Sequence, residues 1–505
     1  MSIGKTRAVA LQGLLGSLIE IECDISDGVP MYALLGLPDA SLQESRERVR
    51  AALTNTGQKW PNKKVTVSLS PAWLPKSGPA FDLAIALSLL VADGVLPQAP
   101  LDGAIILGEL ALDGGIRPVR GVLPSLIAAL KSGVTRAIVP AANQGEAELM
   151  EQMEILAFEN ISQIYQWLTT GEYPFIESAE ITSPLIDDSL DFADVAGQHL
   201  ARFAAEVAAT GGHHLLLIGP PGAGKTMIAS RIPSILPPLT MEEALEVTAI
   251  HSISGGLRDR SAMSRTAPIV SPHHTASRAS IVGGGGRTIQ PGAISLGHRG
   301  VVFIDEAPEC ASGILDALRQ PLESGEITIA RQAGNVTFPA QFLLILAANP
   351  CPCGKYSGKG HGCTCSSLQV RRYLGKLSGP LMDRIDIRVT VDPVGRVELA
   401  SQELGESSAD IRQRVIDARA RAALRFKDEK WLLNAEIPAR ALRRDFAPDR
   451  EALNFLHDEL DHERITARGL HKVVRLAWTL ADLSGREKPG LPEVQRAYQL
   501  RSGGY

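Results

Sequence analysis

Hydrophobic and polar positions alternate in short runs through the first third of the chain. Residues 65–69 alternate as a β-strand does, and residues 81–92 follow a helical period. Residues 133–140 form a turn that leads into a short apolar run, as expected of a buried strand. Because both periods recur in one stretch, the pattern predicts an α+β domain over residues 1–172.

The pattern then changes twice along the chain. Residues 173–190 lose their periodicity and predict a linker. Buried strand patterns that alternate with helical ones predict an α/β domain with a parallel sheet over residues 191–398. From residue 399 the pattern is helical, which predicts a helical lid over residues 399–505. A length of 505 residues agrees with several domains, since one domain takes roughly 150.

Composition is that of a folded, water-soluble chain. Hydrophobic residues make up 45% and charged residues 21%, which excludes disordered, collagen-like and coiled-coil classes. The most apolar stretch, residues 81–97, contains Asp82 and Asp93, so no membrane-spanning segment is predicted. Glu20 and Glu22 lie where a signal peptide would have its cleavage site. We therefore expect a cytoplasmic protein without a membrane partner.

Charge is distributed unevenly along the chain. The net charge is −5, but residues 251–380 contain thirteen Lys and Arg against seven Asp and Glu. A basic segment in an acidic chain can contact nucleic acid or nucleotide phosphate. It can equally be a solvated face, and charge alone does not decide between these interpretations.

A phosphate-binding loop follows the apolar run 215–218 and precedes a helical pattern that begins near Lys225. The loop consists of Gly219, Pro220, Pro221, Gly222, Ala223, Gly224, Lys225 and Thr226. Its glycines allow backbone N–H groups to surround phosphate oxygens at the positive end of the helix dipole. Lys225 would neutralise the β- and γ-phosphates of ATP, and the Thr226 hydroxyl would bind Mg²⁺.

Two further buried strands end in polar residues that complete such a site. Residues 301–304 precede Asp305 and Glu306. Asp305 is expected to hold Mg²⁺ through its water shell, and Glu306 to polarise the attacking water. The apolar run 342–348 ends in Asn349, which can orient the same water.

Together these features resemble the AAA+ ATPases over residues 191–502. Residues 378–386 resemble the arginine-finger segment of the magnesium-chelatase and minichromosome-maintenance branch. The resemblance implies that Arg384 reaches into the neighbouring subunit's site and stabilises charge on the transferred phosphoryl group, which implies a ring and most simply a homo-hexamer. The alternative is an ordinary surface ion pair of Arg384 with Asp383 or Asp386.

Other segments indicate which branch of the AAA+ ATPases the chain resembles. Residues 465–469 resemble the second sensor of the family, which implies that Arg468 touches the γ-phosphate, with Arg475 as the alternative. Residues 272–277 and 291–298 are similar to magnesium-chelatase-like proteins. Within that group the resemblance implies a helicase-type ring motor. The resemblance further implies that the motor drives branch migration of recombination intermediates during natural transformation, with recombination proteins as expected partners.

Residues 327–338 predict a β-hairpin with Gly334 in its turn. Related ring helicases insert a hairpin into the central pore at this place in the chain. Arg331, Gln332 and Asn335 could then contact DNA phosphates without reading bases. A purely structural hairpin is the alternative.

Cysteine spacing predicts a metal site. Four cysteines lie in the loop of residues 351–365, at Cys351, Cys353, Cys363 and Cys365. Four thiolates at such spacing suit a tetrahedral structural Zn²⁺, with His361 as a substitute ligand. Reduced thiols without a metal are the alternative.

The first domain resembles the Lon-type protease fold at residues 75–82 and 108–110. The catalytic serine of that family corresponds to Ala80, and its catalytic lysine falls near Leu123. Without a hydroxyl and an amine nothing attacks an amide, so we do not expect a protease. A chelatase-type remodelling ATPase that acts on a protein partner remains the alternative to the DNA motor.

Overall fold

The computed structural model describes residues 3–174, 190–255, 263–285, 289–311, 313–331, 334–356, 362–395 and 405–503. The chain forms two compact units. The first consists of residues 1–184 and 244–264, and the second of residues 185–243 and 265–505. Most of the predicted linker and the predicted boundary at residues 398 and 399 lie outside the described residues.

The segment 244–264 belongs to the first unit although the phosphate loop precedes it in sequence. Part of it lies in the helix Met241–Ser254, where Ala249 is buried in an apolar cluster of the first unit. Ser252 donates a hydrogen bond to the carboxylate of Glu146 in the same unit. Hydrophobic periodicity does not distinguish this segment from the rest of the predicted ATPase domain, so the sequence did not reveal its place.

A four-stranded sheet forms one layer of the first unit. Its strands lie in the order Gly4–Gln12, Leu15–Ser26, Lys64–Ser70 and Met31–Leu35. The first three pair antiparallel, and the last pairs parallel with its neighbour. Ile19, Ile21 and Cys23 are fully buried whereas Glu20 is exposed. Alternation of this kind is what a sheet with one covered face requires.

The other elements of the first unit surround this sheet and a smaller parallel one. The helix Asp82–Ala92, which the period predicted, is buried along nearly its whole length. The parallel sheet contains Ala104–Ile106, Arg136–Pro140 and Glu154–Phe158. A short hairpin joins Glu109–Leu110 to Ile116–Arg117. The remaining α-helices are Ala40–Gln43, Ser45–Asn55, Val122–Lys131, Gln144–Ala147 and Ile161–Thr170.

A five-stranded parallel sheet forms the centre of the second unit. Its strands lie in the order Ile269–Val270, Val301–Ile304, Leu343–Ala348, Leu215–Ile218 and Ile387–Thr390. Both faces of its central strands are covered, which explains why they read as unbroken apolar runs. The prediction of a mixed α/β chain with a parallel sheet is therefore confirmed.

Helices cover this sheet and fill the C-terminal part of the second unit. The helical pattern predicted after residue 399 includes the long helices Ser408–Arg425 and Ala467–Leu483. Phe426, Phe446 and Trp478 stack edge to face in the core of this part. The other C-terminal helices are Ala439–Arg444, Arg450–Asp461 and Leu491–Ser502. Around the sheet lie His199–Gly211, Lys225–Ile235, Arg278–Val282, Ala293–Leu296, Ile314–Ala317, Pro321–Ser324, Ser367–Leu374 and Gly379–Met382.

The predicted hairpin is present, but Gly334, expected in its turn, begins the second strand and pairs with Arg331. Its strands Glu326–Arg331 and Gly334–Pro339 pair antiparallel outside the central sheet. In the part of the chain that the structure describes, no helix has both the length and the apolar character needed to span a bilayer.

Candidate nucleotide and metal sites

The phosphate loop joins the strand Leu215–Ile218 to the helix Lys225–Ile235. Gly222 and Gly224 have φ angles of 77° and 93°, in the left-handed region that favours glycine. No described atom lies within 4 Å of where a Cβ would be built on either residue. The backbone is therefore held in a tight turn beside open space, as a loop that takes up a phosphate group requires.

Lys225 lies at the centre of this site. Its side chain is only 8% exposed, and its Nζ donates to the carbonyls of Gly219 at 2.6 Å and Pro220 at 3.0 Å. Burial lowers the pKa of Lys225, and the nearby carboxylates of Asp305 and Glu306 oppose that shift. Because the hydrogen-bonded partners are neutral, the positive charge remains available to an anion such as a phosphate.

Thr226 and Asp305 meet at the adjacent strand end. The Thr226 hydroxyl donates to Oδ2 of Asp305 at 2.7 Å. The other carboxylate oxygen of Asp305 accepts the backbone N–H of Glu306 at 2.8 Å, which fixes the orientation of the group. A hydroxyl and a carboxylate at this separation are the hard oxygen ligands that Mg²⁺ prefers, so these residues fit the predicted cation.

Glu306 contacts a residue to which the sequence analysis assigned no role. Its backbone is left-handed, with φ at 49°, and its Oε2 lies 3.1 Å from Nδ1 of His274. The ring of His274 lies 4.2 Å from that of His273. His274 follows the edge strand Ile269–Val270, which pairs with the strand that ends before Asp305. The strand before His274 has only two residues, which is too short for the sequence pattern to identify it.

Asn349 lies where it was expected, beside Lys225. Its Oδ1 accepts a hydrogen bond from Lys225 Nζ at 3.2 Å. Gln198, in the segment before the first helix of this unit, donates to the carbonyl of Ala223 at 3.0 Å and so contacts the phosphate loop from the other side. The structure thus brings Lys225, Thr226, Asp305, Glu306 and Asn349 to one edge of the sheet. Their roles remain predictions.

The two arginines with predicted catalytic roles lie together elsewhere in the unit. Arg384, Arg468 and Arg475 line one pocket of about 280 Å³. Arg384 forms an ion pair with Glu323, and Arg468 lies 3.8 Å from Asp383. Arg475 donates to a backbone carbonyl at 2.6 Å. Among the described residues neither Arg384 nor Arg468 has a polar contact with the phosphate loop, and a role in a neighbouring subunit's site remains a prediction.

A buried ion pair holds the backbone at Arg384. Lys472 Nζ lies 2.5 Å from Oδ1 of Asp386 and donates to the carbonyl of Arg384 at 2.8 Å. Burial acts to raise the pKa of Asp386, but Lys472 and His213 hold it well below its usual range. Because the carboxylate is charged and enclosed, it anchors the segment that carries Arg384 to the C-terminal helices.

The described residues include only part of the hairpin that was predicted to contact DNA. Asn335 is exposed, and the hydroxyls of Thr328 and Thr337 are hydrogen-bonded across the strands at 2.9 Å. Gln332 lies outside the described residues, and so does the side chain of Arg331. Contact of Arg331, Gln332 and Asn335 with DNA therefore remains a prediction.

The four predicted zinc ligands lie together. Their sulfurs, on Cys351, Cys353, Cys363 and Cys365, are all within 4.8 Å of one another. Cys351 Sγ is 3.3 Å from Cys353 and 3.7 Å from Cys363, close to the ~3.8 Å that a tetrahedral Zn–S₄ site implies. The group thus fits a zinc ion, and the alternative ligand His361 lies outside the described residues.

The positions that correspond to a Lon-type dyad carry no catalytic group. Ala80 lies in the short 3₁₀ helix Pro79–Phe81, and Leu123 is fully buried in an apolar cluster. The nearest lysine in sequence, Lys76, is itself buried and donates to the carbonyl of Leu69 at 3.0 Å. An amine enclosed in this way is not free to act as a base, and the absence of protease activity stays a prediction.

Comparison with known families finds three matches along the chain. The family described as magnesium chelatase, subunit ChlI, matches residues 191–399. The family described as subunit ChlI of Mg-chelatase matches residues 21–143. The C-terminal part of the same subunit matches residues 405–501. All three therefore point to the same kind of protein.

Several curated proteins are similar over their whole length. An uncharacterised protein of Mycobacterium tuberculosis is 47% identical over 100% of this chain and 99% of its own length. The uncharacterised protein YifB of Escherichia coli is 39% identical over 99% and 97%. The competence protein ComM of Haemophilus influenzae is 37% identical over 99% and 98%. A partial match, to Lon protease 2 of Bacillus subtilis, is 26% identical over 30% of each chain.

Proposed function

This chain belongs to the magnesium chelatase ChlI family, and on that premise we propose that it is an ATP-hydrolysing ring motor that acts on branched DNA. Membership in this family confirms the resemblance to magnesium-chelatase-like AAA+ proteins that the sequence motifs indicated. One observation supports the proposal above all others. Lys225, at the start of the helix after the phosphate loop, meets the strand ends that carry Asp305 and Asn349 at one edge of the sheet.

This arrangement supports hydrolysis of the γ-phosphate of ATP. Glu306 takes a proton from the attacking water. The water oxygen bonds to the γ-phosphorus as the bond from that phosphorus to the β–γ bridging oxygen breaks. Asn349 orients that water, and Lys225 neutralises the oxygens that gain charge. Bound Mg²⁺, held by Thr226 and by Asp305 through water, would neutralise phosphate charge. The cofactors we propose are accordingly ATP, Mg²⁺ and one structural Zn²⁺.

A ring follows from the place of the arginines. Arg384 lies at the pocket it shares with Arg468 and not at the phosphate loop of its own chain, which favours action on a neighbour's nucleotide. Six copies are the arrangement that the family resemblance suggests. In it, Arg384 stabilises charge on the phosphoryl group from the adjacent subunit, while Arg468 contacts the γ-phosphate.

Branched DNA is the substrate that the family resemblance of the motifs implies, and full-length similarity to the competence protein ComM agrees with a role in natural transformation. The basic segment 251–380 supplies positive charge, and the hairpin Glu326–Arg331 with Gly334–Pro339 forms a two-stranded sheet separate from the central one. Both features suit contact with phosphates rather than bases. We propose that the motor promotes branch migration during homologous recombination in natural transformation, alongside recombination proteins.

The test is movement of a synthetic four-way junction. Wild-type protein should hydrolyse ATP faster when the junction is present and should convert it to products, with binding that weakens steeply as salt rises. Glu306→Gln should bind ATP and the junction but lose turnover by more than about 100-fold. Glu309→Gln, the same change at an exposed position in the following turn, should behave as wild type.

A remodelling ATPase that drives a protein partner is the second candidate, because three family models named for magnesium chelatase match this chain. Such a motor would ignore DNA. If purified rings hydrolyse ATP well, yet neither bind junctions at low salt nor move them, the remodelling function replaces the DNA motor.

A further inference from the structure

We propose that the four-cysteine cluster binds one zinc ion that braces the nucleotide site, so that zinc content controls ATP affinity. The cluster comprises Cys351, Cys353, Cys363 and Cys365. This inference rests on the proposed ATPase function and adds a structural control of the same site. It depends on three observations: the donor set, the chain between the cluster and Asn349, and a direct contact with the phosphate loop.

The donor set is prepared for a metal. The separations among Cys351, Cys353 and Cys363 sulfurs are 3.3 to 3.7 Å, well beyond the roughly 2.05 Å of a disulfide. All four sulfurs lie within 4.8 Å of one another, so a single ion can contact every one of them.

The cluster is connected to the nucleotide site by a very short chain. The strand Leu343–Ala348 ends, Asn349 follows, and Cys351 is only two residues further on. Cys351 is fully buried, so a metal bond there would fix the backbone on the C-terminal side of Asn349. On the N-terminal side of Asn349 the sheet fixes the backbone, because the N–H of Gly219 donates to the carbonyl of Ala348 at 3.1 Å. The side chain that contacts Lys225 is thus held from both directions.

The cysteine loop also touches the phosphate loop directly. Gly354 is left-handed, with φ at 71°, and a Cβ built on it would lie 2.7 Å from Cδ of Pro221. Such a close approach is possible only for glycine. The turn that carries Gly354 is closed by its N–H bond to the carbonyl of Cys351 at 2.9 Å. A metal that fixes Cys351 and Cys353 therefore fixes the surface against which Pro221 rests.

The chain offers a matched pair of variants to test the brace separately from the metal. Gly362 lies in the same loop, with φ at 88°, and among the described residues nothing lies within 4 Å of its Cβ position. Gly354→Ala and Gly362→Ala carry the same left-handed strain and keep all four cysteines. Only Gly354→Ala pushes on Pro221. Cys353→Ser removes a ligand, and Cys310→Ser is its control because Cys310 lies outside the cluster.

The experiment measures zinc per chain by mass spectrometry and ATP affinity with a fluorescent ATP analogue, both on full-length protein. We expect one zinc in wild type, both glycine variants and Cys310→Ser, and less than about a tenth of that in Cys353→Ser. Gly354→Ala should bind the analogue at least tenfold more weakly than Gly362→Ala. Cobalt(II) bound in place of zinc should show the absorption of a tetrahedral thiolate site.

Three results would overturn the proposal. One is wild-type protein, purified without chelator, that lacks stoichiometric zinc. Another is chelator-treated protein that stays folded by circular dichroism and binds the analogue as tightly as before. The third is Gly354→Ala with the affinity of Gly362→Ala. If Cys353→Ser does not fold, chelator treatment and the glycine pair still decide. Wild type that holds zinc but does not bind the analogue instead refutes the proposed ATPase function.

Discussion

Replacement of Lys472 by methionine should destabilise the second unit strongly. The ammonium of Lys472 lies 2.5 Å from Asp386, and the two side chains are only 10% and 8% exposed. Methionine keeps an unbranched apolar stem, one atom shorter than that of lysine, but removes the charge. Asp386 then remains buried without its cation, while the carbonyl of Arg384 loses the donor that lies 2.8 Å from it.

The size of this effect follows from the burial of the pair. Although burial lowers the pKa of Lys472, Asp386 opposes that shift, and the short contact is that of two charged groups. Removing one partner from a buried pair costs about 3–5 kcal/mol, because the other charge is left unsolvated. An exposed pair contributes about 0–1 kcal/mol. Lys63 and Asp27, at 2.9 Å and with side chains 54% and 83% exposed, form such a pair in the first unit.

The assay is urea unfolding followed by circular dichroism, with Lys63→Met as the control. Lys472→Met should lose about 3–5 kcal/mol of the free energy of unfolding, whereas Lys63→Met should unfold at the same urea concentration as wild type. Adding Asp386→Asn to Lys472→Met should recover part of the loss, because no charge then remains buried. The folded-state pKa of Asp386 is depressed, so the pair's contribution is present above about pH 4 and is lost as pH falls through that pKa.

The reasoning fails if Lys472→Met unfolds within about 1 kcal/mol of wild type, because a pair that costs so little to break would have to be open to water. It also fails if the double variant is less stable than Lys472→Met, because the isolated carboxylate would then not be the source of the loss.

The remaining predictions concern the nucleotide site and pH. Lys225→Ala should bind a fluorescent ATP analogue at least about tenfold more weakly because a charged phosphate contact is lost, and unchanged affinity would count against its role. Mixing Arg384→Ala with Lys225→Ala should restore part of the ATPase activity at mixed interfaces; no recovery in intact mixed rings would contradict action in trans. Burial lowers the pKa of His213, so the unfolded chain binds its proton more readily and stability should fall as pH drops below about 6.5. Urea unfolding at pH 7.5 and 5.5 tests this, and equal stability would contradict it.

The centre of the nucleotide site was predictable because local sequence determines it. Glycine at positions 222 and 224 permits left-handed φ angles, and the loop that they form places Lys225 at the start of its helix. Asp305 and Asn349 each follow a run of apolar residues, and parallel strands bring such ends to one edge of a sheet. Only the order of strands was missing, and no plausible order would separate them widely.

Contacts between distant segments were not predictable in this way. His274 follows a strand of two residues, too short to show a period, and its contact with Glu306 depends on the neighbouring strand. The segment 244–264 belongs to the first unit because of burial that no periodicity distinguishes from burial in the second. Arg384 was expected to pair with Asp383 or Asp386 if it paired within its chain, and its partner is Glu323.

That last contact bears on whether Arg384 can serve a neighbouring subunit. The side chain of Glu323 is 58% exposed and that of Arg384 is 13% exposed. Water therefore reaches the carboxylate and screens the attraction between the two charges. Breaking it should cost about 1 kcal/mol or less. An arginine that stabilises the transferred phosphoryl group contributes a rate factor of about 10³–10⁵, which corresponds to roughly 4–7 kcal/mol. Because the second quantity exceeds the first several-fold, the contact with Glu323 does not prevent Arg384 from engaging a phosphate in trans.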